Sequence, residues 1–242
     1  MIVKPARKRV QAIALGRGAT ERVIGPLAFE TAAQISARPI DEFRTDPTQL
    51  ANGLNEFQRA TATDCICCAL ANELELSSSG GVLTLESWLA PGQRLHASLE
   101  ACKRLRITVG DNVALLVGLT GPATLAAQFS APLSVVSEIF IALVKLFCEA
   151  GADIVLVIDP TSSNADTNVN DTLRTASNIA RFHRGLTLGW DIASPLPQPQ
   201  RVPLADPVVA GAGITTTDTL IAADASIEAV RQWMTFTAGS ST

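Results

Sequence analysis

The sequence predicts a single α/β domain over residues 1–242, built as an eight-fold (β/α)8 barrel of the TIM type. Its 242 residues are close to the roughly 250 of a typical barrel of this kind. Two runs, 113–120 and 154–158, are apolar throughout, as strands covered on both faces must be. A helical pattern over 134–149 joins these runs, and two parallel strands with a helical crossover form a βαβ unit.

The other elements follow from local signals along the chain. Gly16 ends an amphipathic first helix, and Asp46 with Pro47 supplies the N-cap and the first position of a later one. Further strands are predicted where short apolar runs are closed by polar residues. The other predicted helices are 5–16, 31–35, 46–59, 95–105, 172–182 and 226–233, and the other predicted strands are 22–29, 64–70, 186–191 and 207–214. We expect the proline-rich segment 195–207 to be an exposed connection.

Composition and charge exclude several classes of function. Hydrophobic residues make up 47% and charged residues 17%, with a formal net charge of -4, which argues against nucleic acid as a partner. No run of 18 apolar residues is present, and the first residues lack the apolar core of a signal peptide. We therefore expect no membrane partner and a cytoplasmic location. The basic residues Lys4, Arg7, Lys8 and Arg9 are expected to form the solvated face of the first helix.

Five cysteines stand at positions 65, 67, 68, 102 and 148. Along a strand, Cys65 and Cys67 point to one face and Cys68 to the other, so the three cannot converge on a metal. We interpret the cysteines as buried, reduced thiols, and a functional thiol is the alternative.

Asp159 and Asp191 are candidate catalytic residues because each directly follows or ends an apolar strand. In a β/α barrel, the carboxyl ends of the strands form the mouth where chemistry takes place. Two carboxylates that face one cavity shift each other's pKa, so that one can donate a proton near neutral pH. The alternative for Asp159 is a helix N-cap or a brace for its loop.

Candidate substrate-binding residues lie in the turns after other strands. Gly121 permits close approach of the backbone, and with Thr124 it opens a helix whose free amides can bind an anionic group. A tight turn without a ligand is the alternative. Glu30 and Glu73 follow the first and second strands and are expected to point into the mouth. Asp64 precedes its strand and is expected at the opposite, stabilising end.

His183 is the third candidate catalytic residue, and it lies between Arg181 and Arg184 near a predicted strand start. The alternative is a histidine at a helix C-terminus that interacts with the helix dipole. Arg184, like Arg181 and Arg201, is a candidate clamp for an anionic substrate. The serines and glycines over 77–81 suit either a mobile lid or a plain flexible loop, and residues 82–86 either a strand or the edge of that lid.

Four segments together resemble the uroporphyrinogen decarboxylase and corrinoid methyltransferase superfamily. They are a charged helix that leads into a first strand (7–29), a strand with a Gly-Pro-Ala-Thr-Leu-Ala turn (115–126), a Glu-Ala-Gly-Ala-Asp strand ending in Asp (149–159), and the Gly-Ala-Gly-Ile segment 211–214. The resemblance implies the barrel fold. It also implies one or two compressed or missing β/α units in the C-terminal third, since the family is longer there. Strand edges left open need cover, so we expect a homodimer.

The resemblance implies decarboxylation of a tetrapyrrole or corrinoid-dependent methyl transfer, and the chain departs from both branches. The decarboxylases carry an arginine-rich segment after the first strand and an active-site tyrosine, whereas this chain has neither. The methyltransferases hold zinc with a His-x-Cys pair and a closing Gly-Cys-Gly loop. Here His183 has no such cysteine, and Ala212 stands in the loop. Because zinc needs about three protein ligands, we expect no resident cofactor, with zinc or a corrinoid only weakly indicated.

Two hypotheses result. In the first, the chain is an enzyme of porphyrin metabolism or a related pathway, either a lyase (decarboxylase) or a methyltransferase. The Gly121 turn then binds an anionic group of a tetrapyrrole or other small molecule, Asp159 handles protons, and Asp191 or His183 completes the mouth. In the second, the chain is a degenerate barrel that binds a tetrapyrrole, a small anion or a partner subunit without turning it over.

Overall fold

The computed structural model describes residues 4–18, 20–37, 39–70, 84–162 and 166–239. The strands are β1 (Arg22–Ile24), β2 (Cys65–Ala69), β3 (Ala114–Thr120), β4 (Ile154–Ile158), β5 (Leu186–Trp190), β6 (Gln200–Val202) and β7 (Gly213–Thr217). The helices are α1 (Ala6–Ala14), α2 (Ala33–Ser36), α3 (Ile40–Thr45), α4 (Pro47–Thr61), α5 (Leu85–Trp88), α6 (Arg94–Val109), α7 (Pro122–Phe129), α8 (Leu133–Glu149), α9 (Thr167–Phe182) and α10 (Ile227–Thr237), with a 3-10 turn at Glu30–Ala32. None of the described helices is both long and apolar enough to cross a membrane.

The strands form two parallel sheets, of order β2-β3-β4-β5 and β1-β7-β6. In the first sheet, Thr120 pairs with Ile158, which pairs with Trp190. The carboxyl ends of β3, β4 and β5 therefore lie at one level. The predicted βαβ unit is confirmed, because β3, α8 and β4 occupy the apolar runs and the helical pattern that indicated them. The Asp46 side chain caps α4 as expected, and it accepts hydrogen bonds from the N–H groups of Thr48 and Gln49.

Hydrogen bonds of flanking residues link neighbouring segments at the edges of the two sheets. The N–H of Asp64 donates to the carbonyl of Ile24 (3.1 Å) between β1 and β2, and the N–H of Gly189 donates to the carbonyl of Pro197 (2.9 Å) beside β5. The described residues hold seven strands rather than the predicted eight, and regular strand pairing is interrupted at both edges. The structure thus confirms an α/β fold with parallel sheets, and it does not show a closed eight-stranded barrel.

The carboxyl-terminal third differs from the prediction at two strands. The segment predicted as an exposed connection contains β6, which lies between Pro199 and Pro203. Proline lacks the N–H that a strand ladder needs, so it confines β6 to three residues. The last strand is Gly213–Thr217 rather than 207–214, because its β-branched threonines suit a pleated sheet. Between β5 and β7, where every residue is described, no helix is present.

Helix α1 lies against the amino-terminal side of the strands, and two of its arginines are turned inward. Nε of Arg7 donates to Oδ1 of Asp153 (3.0 Å), and Nη1 of Arg9 donates to Oδ2 of Asp64 (3.1 Å). The two arginine side chains are only 28% and 12% exposed. The expectation of a solvated basic face is therefore wrong for both, because carboxylates that precede buried strands require cations as partners.

Asp153 is the centre of this amino-terminal cluster. It also forms an ion pair with Arg106 and accepts a hydrogen bond from the N–H of Leu115 at 2.9 Å. Burial raises the pKa of Asp153, and the neighbouring Arg106 and Arg7 oppose that increase. Asp64 also lies at this end and accepts a hydrogen bond from the N–H of Ile24 (2.9 Å), as the sequence predicted.

All five cysteines are buried, and none of them forms a disulfide bond. Cys68 of β2 lies beside Cys102 of α6 and therefore points to the helical layer. Burial raises the pKa of Cys65 and Cys68 well above the usual range and that of Cys148 to about 12. The interpretation as buried thiols is confirmed.

Candidate functional site

The carboxyl ends of the parallel strands bring polar groups from several loops to one end of the sheets. We call this end the mouth, and it comprises the last residues of the strands and the loops that follow them. Among the predicted residues, Asp159 follows β4 and Asp191 follows β5. Gly121 follows β3 and the turn with Glu30 comes after β1. Parallel strands in register place these positions at the same edge, which is where ligands bind in α/β folds.

The carboxylate of Asp159 lies at the amino terminus of α7. Its Oδ1 accepts hydrogen bonds from the N–H (2.7 Å) and the hydroxyl (2.6 Å) of Thr124, and its Oδ2 accepts one from the N–H of Ala123 (3.1 Å). Asp159 is fully buried. Its carboxylate thus occupies the helix amides that the sequence predicted for a substrate anion, in the position favoured by the helix dipole.

Strand geometry explains why Asp159 faces α7. Thr120 and Ile158 are paired at the ends of the neighbouring strands β3 and β4, so the residue after Ile158 lies beside the turn that opens α7. Gly121 packs directly on this carboxylate, because a Cβ built at Gly121 would lie 2.5 Å from Cγ of Asp159. The N–H of Gly121 also donates to the carbonyl of Ile158 (2.8 Å). The substrate-binding roles of Gly121 and Thr124 stay predictions.

A second polar group at the mouth consists of Trp190, Asp191 and Arg201. The guanidinium of Arg201 lies over the ring of Trp190, with 4.6 Å between its central carbon and the ring centroid. Its Nη1 donates to Oδ1 of Asp191 at 2.7 Å. The Asp191 side chain is 49% exposed and that of Arg201 is 29% exposed. Asp191 has a left-handed backbone conformation, with φ of 49°, which aspartate tolerates better than most residues.

Arg201 and Thr216 lie on the same face of the β1-β7-β6 sheet, the face turned away from α10. Val202 belongs to an outer apolar cluster with Trp233 of α10, so Arg201, one residue earlier, points the other way. Thr216 pairs with Arg201 in the β6–β7 register. Oγ1 of Thr216 and Nε1 of Trp190 are buried and, within the described part of the chain, have no hydrogen-bond partner. Two buried polar atoms therefore lie on residues beside the Arg201 side chain.

Glu30 lies in the turn after β1 and forms an ion pair with Arg44, whose side chain is 10% exposed. Glu73 and the predicted lid over 77–81 lie outside the described residues. The candidate strand 82–86 is described only from residue 84, and it reaches into helix α5.

His183 and Arg184 lie at the opposite end of the sheets. His183 is the C-cap residue of α9, the helix that leads into the amino-terminal end of β5. Its ring contacts that of Phe182 edge-on, with 5.3 Å between centroids, and it borders a surface cleft of about 390 Å³. Arg184 is exposed, with φ of 63°. This corrects the expected placement of His183 at the mouth, since a helix before a parallel strand ends at the strand's start.

Zinc does not fit the described residues. No group of three or more histidine, cysteine, aspartate or glutamate side chains there could hold a metal ion. His183 lies at the end opposite the mouth, and all five cysteines are buried in the interior and helical layers. A catalytic zinc site needs about three converging protein ligands.

Trp190 was not identified from the sequence as a functional residue. The sequence feature that could have identified Trp190 is its position as the last residue of an apolar strand, directly before Asp191. Arg201 was one of three candidate arginines, and the structure alone separates it from Arg181 and Arg184. Both of those residues belong to the end where α9 meets β5.

No family model matches the sequence. Part of the chain is similar to two curated methylcobamide:CoM methyltransferases named MtaA. One, from Methanosarcina barkeri, is 34% identical over 98 residues, which cover 34% of this chain and 29% of that protein. The other, from Methanosarcina barkeri strain Fusaro, is 33% identical over 87 residues, which cover 29% of this chain and 26% of that protein. The matched segments thus span less than a third of either relative.

The fold is similar to that of a solved methyltransferase from Methanosarcina mazei. The TM-score is 0.69 at 14% sequence identity, and the match covers 96% of this chain and 97% of the other. At this identity the comparison establishes the shared fold. The sequence matches, which cover about a third of the chain, agree with the four motif segments in their resemblance to the uroporphyrinogen decarboxylase and corrinoid methyltransferase superfamily.

Proposed function

We propose that the chain is a methyltransferase whose substrate is a methylated corrinoid and whose acceptor is a small molecule bound at the mouth. The observation that carries this proposal is the sequence match to methylcobamide:CoM methyltransferases, at 34% identity over 98 residues. The comparisons favour this branch over tetrapyrrole decarboxylation. We also propose that the two parallel sheets act as one barrel, joined at the Asp64–Ile24 and Gly189–Pro197 hydrogen bonds.

The contacts at the mouth support different tasks for its two aspartates. Asp159 is fully buried and bonded to Ala123 and Thr124, so its task is to hold the turn between β3 and α7. Asp191 is half-exposed beside Arg201, where a ligand can reach both side chains. No step is assigned to zinc, because the described residues do not fit it.

The test is methyl transfer by the purified full chain from methylcobalamin to coenzyme M, the thiol in the relatives' name. The methylated thiol is measured by mass spectrometry against a blank without protein. We expect product above the blank, and we expect Arg201→Met to reduce it. Arg174→Met is the matched control, because Arg174 forms a comparable ion pair with Asp171 on the outer surface. Product equal to the blank would refute the proposal.

The second candidate function is a binding barrel that does not turn its ligand over. Two observations favour it. The carboxylate of Asp159 already accepts hydrogen bonds from Thr124, and the described residues contain no group of three ligands for a metal ion. Calorimetric titration with methylcobalamin separates the two candidates. Saturable binding without any methylated product would support the binding barrel, whereas binding with product would support the enzyme.

A further inference from the structure

Arg201 is a cation at the mouth whose contacts leave it able to bind a ligand, and the inference drawn from it rests on the proposed function. The ring of Trp190 lies against one face of the Arg201 guanidinium. This contact restricts the rotation of the arginine side chain before any ligand binds. Among the described contacts, Arg201 makes one hydrogen bond, to Asp191. A guanidinium has five N–H donors in a planar fork, so donors remain for a second oxyanion.

The neighbours of Arg201 also favour a ligand with several acceptor oxygens. Thr216 and Trp190 each carry a buried polar atom without a described partner. An indole N–H is only a donor, and a threonine hydroxyl can donate. A buried donor without a partner costs free energy unless a ligand or water satisfies it.

We propose that Arg201, held on Trp190, recognises a small oxyanion at the mouth, and that Asp191 is the internal competitor that this oxyanion displaces. Asp191 then acts neither as a proton donor nor as a metal ligand. Its carboxylate occupies Arg201 when no ligand is bound, and its partial exposure lets it turn to solvent when the ligand arrives. Arg201 is in this proposal the residue that selects an anionic over a neutral acceptor.

The test uses the intrinsic fluorescence of the full chain, which contains three tryptophans and no tyrosine. Methanesulfonate, acetate and inorganic phosphate are titrated separately at constant ionic strength, with dimethyl sulfone as the neutral match for methanesulfonate. Binding at Arg201 changes the contact over Trp190 and hence its emission. Trp190→Phe identifies the signal, because Trp88 and Trp233 are buried and the cation–π contact of Arg201 is with Trp190.

Two variants give opposite expected results. Arg201→Met removes the charge at similar length, and we expect it to weaken anion binding by about tenfold or more, as loss of a charge-assisted pair does. Asp191→Asn removes the competitor, and asparagine tolerates the left-handed backbone as aspartate does, so we expect severalfold tighter binding. Arg174→Met is the control and should bind as the wild type does.

The outcomes separate this inference from the proposed function. Saturable binding that Arg201→Met weakens and Asp191→Asn tightens supports the oxyanion site, whether or not methyl transfer occurs. Methyl transfer with no saturable anion response in the wild type or in Asp191→Asn would overturn the site and leave the proposed function intact. Equal binding by the wild type and Arg201→Met, or weaker binding by Asp191→Asn, would also overturn it. The anion with the highest affinity indicates whether the ligand is a sulfonate, a carboxylate or a phosphate.

Discussion

Gly121→Ala should destabilise the protein strongly, although alanine tolerates the backbone conformation at this position. Gly121 has φ of -74° and ψ of 166°, which any residue adopts. The cost comes from the added Cβ, which would lie 2.5 Å from Cγ of the buried Asp159. To make room, the carboxylate must leave its three hydrogen-bond donors on Ala123 and Thr124.

The magnitude follows from those three bonds. A hydrogen bond to a charged group contributes about 1.5–3 kcal/mol, and helix amides released from it regain part of that from water, so we expect a loss of about 2–4 kcal/mol. The measurement is urea unfolding followed by circular dichroism, with the midpoint and slope compared between variants. Gly211→Ala is the control, because its Cβ would meet only Oε1 of Gln200 at 3.4 Å. We expect that control to change stability by less than about 0.5 kcal/mol.

A double-variant cycle tests the physical reason. In an Asp159→Gly background the side chain that clashes is absent, so the added cost of Gly121→Ala should nearly disappear. An unchanged cost of Gly121→Ala in that background would show that the Asp159 contact is not its cause. A loss below about 0.5 kcal/mol for the single Gly121→Ala variant would refute the reasoning altogether.

Two further predictions concern titration. Because burial raises the pKa of Cys148 to about 12 and raises that of Cys68 as well, the five buried thiols should resist a disulfide reagent at pH 8 until the protein is denatured, and rapid labelling of native protein would contradict this. A hydrogen bond from Lys8, with a further one from Arg7, lowers the pKa of Asp111. A lowered folded-state pKa means that its stabilising contribution is present above the unfolded value of about 4 and is lost as the pH falls through the folded value. The melting temperatures of wild type and Asp111→Asn should therefore differ at pH 6 and converge in acid, and a constant difference would count against the Asp111 contacts.

Much of the fold could be predicted from local sequence signals. The apolar runs that became β3 and β4 are bounded by turns and cannot be exposed, so burial on both faces follows from composition alone. Asp46 and Pro47 start α4 through side-chain and backbone geometry within one helical turn. Such signals depend on neighbours in sequence, and the structure confirms them.

The positions of the candidate site residues were less predictable. The placement of His183 follows from chain direction, since α9 precedes β5 and therefore ends where that strand begins. The bonds of Asp159 to the start of α7 depend on the pairing of β3 with β4, which brings together residues far apart in sequence. The short strand β6 was missed because three residues between prolines carry too little pattern to distinguish a strand from a loop.

By itself, the sequence determined the α/β class, the parallel β3 and β4, the caps of the helices and the burial of the cysteines, because each depends on local periodicity or on the cost of exposing apolar groups. Only the tertiary structure decided which charges meet. Arg7 reaches Asp153 across 146 positions, and Arg201 meets Trp190 because β6 joins β7. Ion pairs between distant segments carry no periodic signal, and their strength depends on burial that exists only after the sheets have packed.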